Sequence, residues 1–149
     1  MLRATTPISA GEVIRHREGR AVLLPVGKSS DVFDVEDAIW IVRRGLADSS
    51  GVSFESKNFA EGYLRHRHGL VYQDRDDGNE QFKKDATFVV EPGKNGQGLS
   101  FAALNYPSRY LRHYGGELFL AAEGGAEPWE SEESWRDDVS WLATPSWVL

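Results

Sequence analysis

The sequence contains no cysteine. The chain therefore forms no disulfide, no zinc–thiolate site and no cysteine nucleophile. It also lacks any apolar run approaching the roughly 20 residues that a membrane-spanning helix needs. Its first residues, MLRATTPISAGEV, lack the charged, apolar and small-residue order of a signal peptide. These absences predict that the chain has no membrane partner and carries no signal peptide.

Positive charge is also scarce. Lys and Arg number 17 against 23 Asp and Glu, which gives a formal net charge of −6. A net acidic surface argues against nucleic acid as a partner. The 149 residues amount to one domain, which is large enough to bury a core without covalent links. Fifteen glycines and five tryptophans, with few long helical patterns, favour the all-β class.

Three of the four histidines recur in a common frame. They are His16, His66 and His113, at intervals of 50 and 47 residues. YLRH contains the second and the third, and upstream of them VSFESKNF (52–59) matches LSFAALNY (99–106). LRATTPIS (2–9) takes this place in the first copy, where Ile8 and Ser9 replace the asparagine–aromatic pair. The pattern indicates an internal repeat of about 50 residues.

A second signature follows each histidine, in EDAIWIVRRG, KDATFVVEPG and DDVSWLATPS. Each segment has an aspartate and, three residues later, an aromatic residue, and we expect a strand there with the aromatic in the core. The pairs are Asp37/Trp40, Asp85/Phe88 and Asp138/Trp141. A glycine lies eight residues after the aspartate in the first two copies, and Ser146 takes this position in the third.

Three copies with roughly four short strands each predict a β-trefoil with three pseudo-symmetric lobes. A propeller would need more blades, and a solenoid would leave open ends. Repeats of this size cannot bury a core alone, so they must share one. We therefore expect residues 1–149 to form a single domain, with lobes at about 1–48, 49–97 and 98–149.

Catalysis and metal binding are poorly supported by the repeated pair. A glycoside hydrolase needs two carboxyl groups roughly 5–9 Å apart, and one aspartate per lobe does not bring two together. No repeated serine lies in frame with the pair for a Ser-His-Asp relay. The loop DRDDGNE loosely resembles a calcium-binding EF-hand loop, but its ligand order is wrong and helices do not flank it. We expect no catalytic residue, no metal and no cofactor.

Two interpretations of the histidine–aspartate pair stay open on spacing alone. A carboxylate can accept hydrogen bonds from two neighbouring sugar hydroxyls, and a neutral imidazole can donate one bond while the protein holds its other nitrogen. A hydrogen-bonded pair can equally serve to tie the loops of each lobe together.

The strings FESKNFAEGYLRHRHGLVYQDRDDGNEQFKKDATFVVEPG and SFAALNYPSRYLRHYGGELFLAA, with WRDDVSW, resemble a known family over nearly the whole chain. It is the C-terminal arabinofuranosidase B domain of α-L-arabinofuranosidases, carbohydrate-binding module family 42. The resemblance implies a non-catalytic β-trefoil that binds L-arabinofuranose side chains of arabinoxylan and arabinan. It implies sugar contacts by a histidine and an aspartate per lobe: His66 and Asp85, His113 and Asp138, and in the divergent first lobe His16 and Asp37.

Other recurring residues receive more general interpretations. Phe59 and Tyr106, in the turn before each YLRH, are the candidates for stacking on the sugar. Asn58 and Asn105 are interpreted as turn formers, and Tyr63 and Tyr110 could line a pocket or pack inward. The arginines directly before the histidines face the other side of an alternating strand, which favours a structural salt bridge. They are Arg15, Arg65 and Arg112.

The resemblance further implies a monomeric, extracellular domain appended to a secreted glycoside hydrolase, with an arabinofuranose-decorated polysaccharide and the parent catalytic domain as partners. One alternative is α-L-arabinofuranosidase activity in the chain or its parent enzyme. Another is a protein-binding β-trefoil of the cytokine or inhibitor kind.

Overall fold

The structure, a computed structural model, describes residues 1–145. Ser146, the predicted counterpart of the repeated glycine, and the end of the predicted third lobe lie outside the described residues. The described part is all-β, with twelve strands in one antiparallel sheet. The strands are β1 Leu2–Ala4, β2 Glu12–Arg17, β3 Arg20–Pro25, β4 Trp40–Arg44, β5 Val52–Ser56, β6 Gly62–Arg67, β7 Leu70–Arg75, β8 Phe88–Pro92, β9 Leu99–Ala103, β10 Tyr106–Tyr114, β11 Glu117–Ala122 and β12 Trp141–Ala143.

Three hairpins repeat along the chain: β2–β3, β6–β7 and β10–β11. Each turns through two residues with positive φ, which is the geometry of a type I′ turn. The turns are Glu18–Gly19, His68–Gly69 and Gly115–Gly116.

The turns link the hairpins in a cycle. Gly19 accepts a backbone hydrogen bond from Gln73 of the next hairpin, Gly69 from Leu120 and Gly116 from Leu23, at 2.8–2.9 Å. The sheet closes accordingly, because β3, β7 and β11 also pair with one another. The threefold sequence repeat is therefore matched by a threefold arrangement of strands.

The aromatic residues after each aspartate are buried, as predicted. Trp40 is 7% exposed, and Phe88 and Trp141 are fully buried. Both indole N–H groups find a backbone acceptor, since Trp40 donates to Ile14 O and Trp141 to Leu111 O. These rings fill the shared core together with Phe54, Leu64, Leu111 and Phe101.

Each strand with a core aromatic pairs with the first strand of the next copy, and this pairing corrects the first-copy alignment. Trp40 lies opposite Ser56, Phe88 opposite Ala103, and Trp141 opposite Ala4. Ala4 is therefore the equivalent of Ser56, and Thr6 and Pro7 are the equivalents of Asn58 and Phe59. The prediction that Ile8 and Ser9 hold these positions was wrong. The first copy has two additional residues here, at the 3-10 turn Pro7–Ser9.

The aspartates do not begin strands, as the sequence analysis expected, but lie at the ends of short helices. These are α1 Val32–Glu36, which Asp37 caps, α2 Glu80–Asp85 and α3 Trp135–Asp138. Asp31 and Asn79 cap the first two at their N-termini by accepting from the backbone N–H of Phe33 and Gln81. Helices of one turn are too short to show an apolar period of 3.6 residues, so the sequence pattern misses them.

The third copy has a longer connection before its helix than the others. Twelve residues (123–134) separate β11 from α3. The corresponding connections are residues 76–79 in the second copy and residues 26–31 in the first. The long connection contains the 3-10 turn Pro128–Glu130. We call residues 123–134 the third-copy insertion.

Candidate functional site

Each predicted histidine–aspartate pair is brought together in the structure. The distances from the imidazole Nε2 to the carboxylate Oδ1 are 3.4, 3.6 and 3.3 Å. The histidine lies on the first strand of each hairpin, and the following short helix places the aspartate beside it. We call the three pairs site 1 (His16 and Asp37), site 2 (His66 and Asp85) and site 3 (His113 and Asp138).

A third side chain joins each pair, and it comes from the next copy along the chain. In site 1, Asn58 Oδ1 lies 2.8 Å from His16 Nε2, and Asn58 Nδ2 donates to Asp37 Oδ1 at 2.6 Å. Asn105 makes the same two contacts in site 2, both at 2.9 Å. The asparagines were predicted as turn formers. The structure shows that their side chains also connect neighbouring copies.

Site 3 closes the cycle through the first copy, with a different residue. Thr6 Oγ1 donates to Asp138 Oδ1 at 2.7 Å and lies 2.9 Å from His113 Nε2. The hydroxyl of Thr6 thus replaces the amide of Asn58 and Asn105. Each site is therefore built at the junction of two copies.

The hydrogen-bond network determines which imidazole nitrogen carries the proton. Because each asparagine Nδ2 donates to the carboxylate, its Oδ1 faces the imidazole and must accept from Nε2–H. Thr6 already uses its only hydroxyl proton on Asp138, so it too accepts from the ring. All three rings are thereby assigned the Nε2–H tautomer.

Burial keeps two of these rings neutral. Loss of hydration is the largest influence on the pKa of His66 and lowers it below the usual value of 6.5, although Asn105 and Asp85 act in the opposite direction. The pKa of His113 is lowered for the same reason, against the raising effect of Asp138. At neutral pH these side chains are uncharged hydrogen-bonding groups.

The repeated arginines form the salt bridges that the sequence analysis predicted, and their partners are the site aspartates. Arg15 Nη2 lies 2.6 Å from Asp37 Oδ2, Arg65 Nη2 2.8 Å from Asp85 Oδ2, and Arg112 Nη2 2.9 Å from Asp138 Oδ2. Each carboxylate thus has an arginine on one oxygen and an amide or hydroxyl donor on the other. Such bonding fixes the orientation of a buried carboxylate.

The two stacking candidates contact histidines of the preceding copy. The ring of Phe59 lies 4.9 Å from that of His16 with a tilt of 36°, and Tyr106 lies edge-on to His66 at 5.6 Å. Pro7 takes the equivalent position at site 3 and has no aromatic ring, and the neighbouring Ile8 is 93% exposed.

Tyr63 and Tyr110 pack inward and are buried. Tyr63 packs with Phe82 and Ala86. Tyr110 packs with Trp135, and its hydroxyl donates to Glu91. Of the two predicted uses, packing is therefore the one that the structure shows.

Cavities adjoin site 2 and site 3. A cavity of about 810 Å³ is lined by His66 and Asp85, together with His68, Tyr106, Arg109 and Trp129. A second, of about 430 Å³, is lined by His113 and Asp138, together with Thr6, Ile8, Tyr114 and Ser134. The approach of Trp129 to site 2 could not be predicted from the repeat, because Trp129 lies in the third-copy insertion, 63 residues from His66 in the chain.

Among residues 1–145, no group of three or more His, Asp or Glu side chains is arranged to hold a metal ion. In the loop that resembles an EF-hand, Asp76 accepts from Gly78 N and Asp77 from Asn79 N. These carboxylates stabilise a turn. None of the helices in the described part of the chain is long and apolar enough to cross a membrane.

The fold and the repeated polar groups define a small all-β module with a histidine–aspartate site at each junction between its copies. Comparison with known proteins then identifies the family: the model of the alpha-L-arabinofuranosidase B (ABFB) domain matches residues 2–143. The chain belongs to this family, which is the carbohydrate-binding module of family 42, as the resemblance predicted.

Full-length relatives include a probable alpha-L-arabinofuranosidase B of Aspergillus clavatus, which is 38% identical over 95% of this chain and 28% of its own length. An alpha-L-arabinofuranosidase of Hypocrea jecorina is 36% identical over 96% of this chain and 29% of its own length. The chain thus spans less than a third of these relatives. It is the small AbfB domain, and this isolated domain is non-catalytic.

Solved structures agree. A GH54 arabinofuranosidase soaked with a cyclic sulfate inhibitor superposes with a TM-score of 0.93 at 37% identity, over 95% of this chain and 29% of that one. A structure described as a BEL beta-trefoil gives a TM-score of 0.62 at 16% identity, over 95% of this chain and 88% of that one. The second likeness concerns the fold alone.

Proposed function

We propose that this domain binds L-arabinofuranosyl side chains of polysaccharides such as arabinoxylan and arabinan, through site 2 and site 3. The observation that carries the proposal is the fixed histidine–aspartate pair at the wall of a cavity in each of these sites. A preorganised pair loses little conformational freedom when a ligand arrives, which favours binding of a small sugar.

The carboxylates retain capacity to accept hydrogen bonds from a sugar. Each carboxylate oxygen has two lone pairs. At site 3, Thr6 supplies one donor to Oδ1 of Asp138 and Arg112 supplies one to Oδ2. Two neighbouring sugar hydroxyls can donate to the positions that remain. The uncharged imidazole beside them suits a neutral ligand.

Site 2 has an additional donor that a sugar would displace. The exposed Gln81 donates from Nε2 to Asp85 Oδ1 at 2.9 Å, and Asn105 donates to the same oxygen. A hydroxyl of the ligand can take the place of the Gln81 amide without loss of a hydrogen bond. Ser134, four residues before Asp138, holds the corresponding position at site 3.

Site 1 is the weakest of the three in this proposal. His16, Asp37 and Asn58 are joined as in site 2, but Phe59 lies closer to the imidazole than Tyr106 does in site 2. We propose that this arrangement serves mainly to join the first two copies.

The same proposal includes the finer description of the fold as a single β-trefoil over residues 1–149, with lobes at about 1–48, 49–97 and 98–149. The cyclic hydrogen bonds of Gly19, Gly69 and Gly116 support it, as does the likeness to a β-trefoil structure. We further propose an extracellular, monomeric domain attached to a secreted arabinofuranosidase or related glycoside hydrolase, which the relatives support.

Retention on insoluble polysaccharides tests the function. The protein should bind insoluble arabinoxylan strongly, and unsubstituted xylan and cellulose weakly. Two weak sites that bind one branched polymer together raise the apparent affinity through effective concentration, so arabinoxylan should bind more tightly than an arabinofuranosyl oligosaccharide. Equal retention on all three polymers would contradict the proposal. If the protein is retained on none of them, the protein-binding alternative is favoured. Release of 4-nitrophenol from its arabinofuranoside would contradict the non-catalytic assignment, and we expect none.

A further inference from the structure

The cavity at site 2 is nearly twice as large as that at site 3, at about 810 against 430 Å³. Pockets of roughly 300–1,000 Å³ accommodate drug-sized ligands. A single pentose is smaller than such a molecule, so it leaves much of the larger cavity unfilled. The third-copy insertion lines both cavities, and at site 2 it contributes Trp129 and Glu127.

The insertion is held firmly in place. Arg112 donates to the backbone carbonyls of Trp129 at 2.9 Å, Ser131 at 2.5 Å and Glu133 at 2.7 Å. The buried Glu130 accepts from the backbone N–H of Ala122. These bonds fix the main chain on both sides of the indole.

The indole itself is positioned by two contacts. Trp129 stacks on Phe119 with ring centroids 4.7 Å apart and planes 10° from parallel. A side chain at Gly69 would place its Cβ 3.3 Å from the ring of Trp129, so glycine allows the hairpin turn to approach the indole closely. The result is a partly exposed tryptophan at a defined place in the wall of the cavity.

Charged side chains of both signs line the cavity together with Trp129. Tyr106 is 49% exposed, and the guanidinium of Arg109 lies 5.6 Å from the centre of its ring. Within residues 1–145, Arg109 is in none of the salt bridges, so its donors are available to a ligand. Glu127 lies on the same lining, and mixed charges favour a neutral ligand.

We propose that site 2 has a second subsite, in which Trp129 and Arg109 bind the sugar ring to which the arabinofuranosyl side chain is linked. The inference rests on the proposed function. A pyranose ring presents C–H groups to the indole, and tryptophan gives a large apolar contact at a small entropic cost. Its hydroxyls accept from the Arg109 guanidinium. Site 2 therefore binds the arabinofuranosyl side chain together with the sugar ring to which it is linked, and site 3 binds the arabinofuranosyl group alone.

Protein-observed NMR titration tests the subsite, because amide signals of His68 and Gly69 report site 2 separately from those of Gly115 and Gly116 at site 3. The two probes are methyl α-L-arabinofuranoside and arabinofuranosyl-α-1,2-xylobiose. At site 2 the trisaccharide should bind roughly three- to tenfold more tightly than the monosaccharide, because one additional aromatic contact increases the affinity by about this factor. The indole N–H signal of Trp129 should shift with the trisaccharide only. At site 3 the two affinities should be equal.

Two variants test which side chains cause the tighter binding of the trisaccharide at site 2. Trp129→Ala should bring the affinity ratio at site 2 close to one. Arg109→Ala, at an exposed position of β10, should lower the ratio partially. Ile8→Ala, an exposed residue at the cavity of site 3, is the matched control and should leave the ratio unchanged. Equal affinities for both probes at site 2 of the unaltered protein would overturn the subsite alone. If neither probe binds at site 2 or site 3, the proposed function is overturned as well.

Discussion

Site 1 and site 3 differ in the residue that the next copy supplies, and the difference shows which copies determine the composition of each site. Site 1 receives Asn58 and Phe59 from the second copy, whereas site 3 receives Thr6 and Pro7 from the first. The first copy is the divergent one in sequence. Its divergence nevertheless changes site 3, because each site lies between two copies.

The largest expected effect in this comparison is the loss of stability when a site arginine is replaced. Arg112 is 1% exposed and holds both Asp138 and the third-copy insertion, so its loss leaves a buried carboxylate without its partner. Arg112→Met should lower the free energy of unfolding by about 3–5 kcal/mol. Arg15→Met should cost less, because its second partner, Asp34, is half exposed.

Urea denaturation measures both changes. Arg75→Met is the matched control, since Arg75 forms an exposed pair with Glu61 and should contribute about 0–1 kcal/mol. If Arg112→Met costs no more than Arg75→Met, then Arg112 does not support site 3.

The site aspartates give the largest expected effect on binding. Asp85→Asn and Asp138→Asn keep the size of the side chain and remove the charge that strengthens hydrogen bonds from sugar hydroxyls. Each should weaken arabinofuranoside binding at its own site by about 10- to 100-fold, and together they should abolish most retention on arabinoxylan.

Asp37→Asn at site 1 is the matched comparison and should change retention little. Circular dichroism shows whether each variant is folded. A folded double variant of Asp85 and Asp138 that binds arabinoxylan like the unaltered protein would show that the sites have been assigned wrongly.

A smaller effect is expected from Thr6, and it tests the assignment of each site to two copies. Thr6→Val removes the donor to Asp138 and the acceptor of His113, both of which are buried, and should cost about 1–3 kcal/mol of stability. NMR titration should show weaker binding at site 3, with site 1 unaffected, although Thr6 belongs to the first copy. Asn105→Leu should weaken site 2 in the same way. An effect of Thr6→Val confined to site 1 would contradict the arrangement.

The smallest expected effect is that of pH. Burial lowers the pKa of His66 and His113 in the folded protein, so below the ordinary value of about 6.5 the unfolded chain takes up protons that the folded chain does not. The contribution of these two histidines to stability should thus be constant above pH 6.5 and fall as the pH drops below it, by at most about 1.4 kcal/mol per pH unit for each histidine.

Unfolding by urea between pH 5 and 8 measures this slope. His113→Gln should make it shallower, because the glutamine does not titrate. A slope that is unchanged in His113→Gln would show that this histidine does not contribute to the acid sensitivity.

Much of this arrangement could be predicted from the sequence. The repeat predicted that His66 is paired with Asp85 and His113 with Asp138, since residues in the same frame take the same place in each copy. It also predicted that Trp40, Phe88 and Trp141 are buried, because an aromatic residue at a repeated position packs into the shared core.

Contacts between copies could not be predicted in this way. A sequence repeat shows which residues are equivalent but not which copies touch, so Asn58 and Phe59 were associated with their own copy. The two-residue difference at Thr6 is hidden when the copies are aligned on their histidines, and the pairing of Ala4 with Trp141 reveals it. Trp129 belongs to a segment without equivalents, for which the repeat carries no information.

A crystal structure of the protein with an arabinofuranoside would show directly which sites bind the sugar. We expect one sugar at the cavity of site 2, with its hydroxyls on His66 and Asp85 beside Asn105, and another at site 3, on His113 and Asp138 beside Thr6. A saturated crystal in which these two cavities are empty, while sugar occupies another surface, would contradict it.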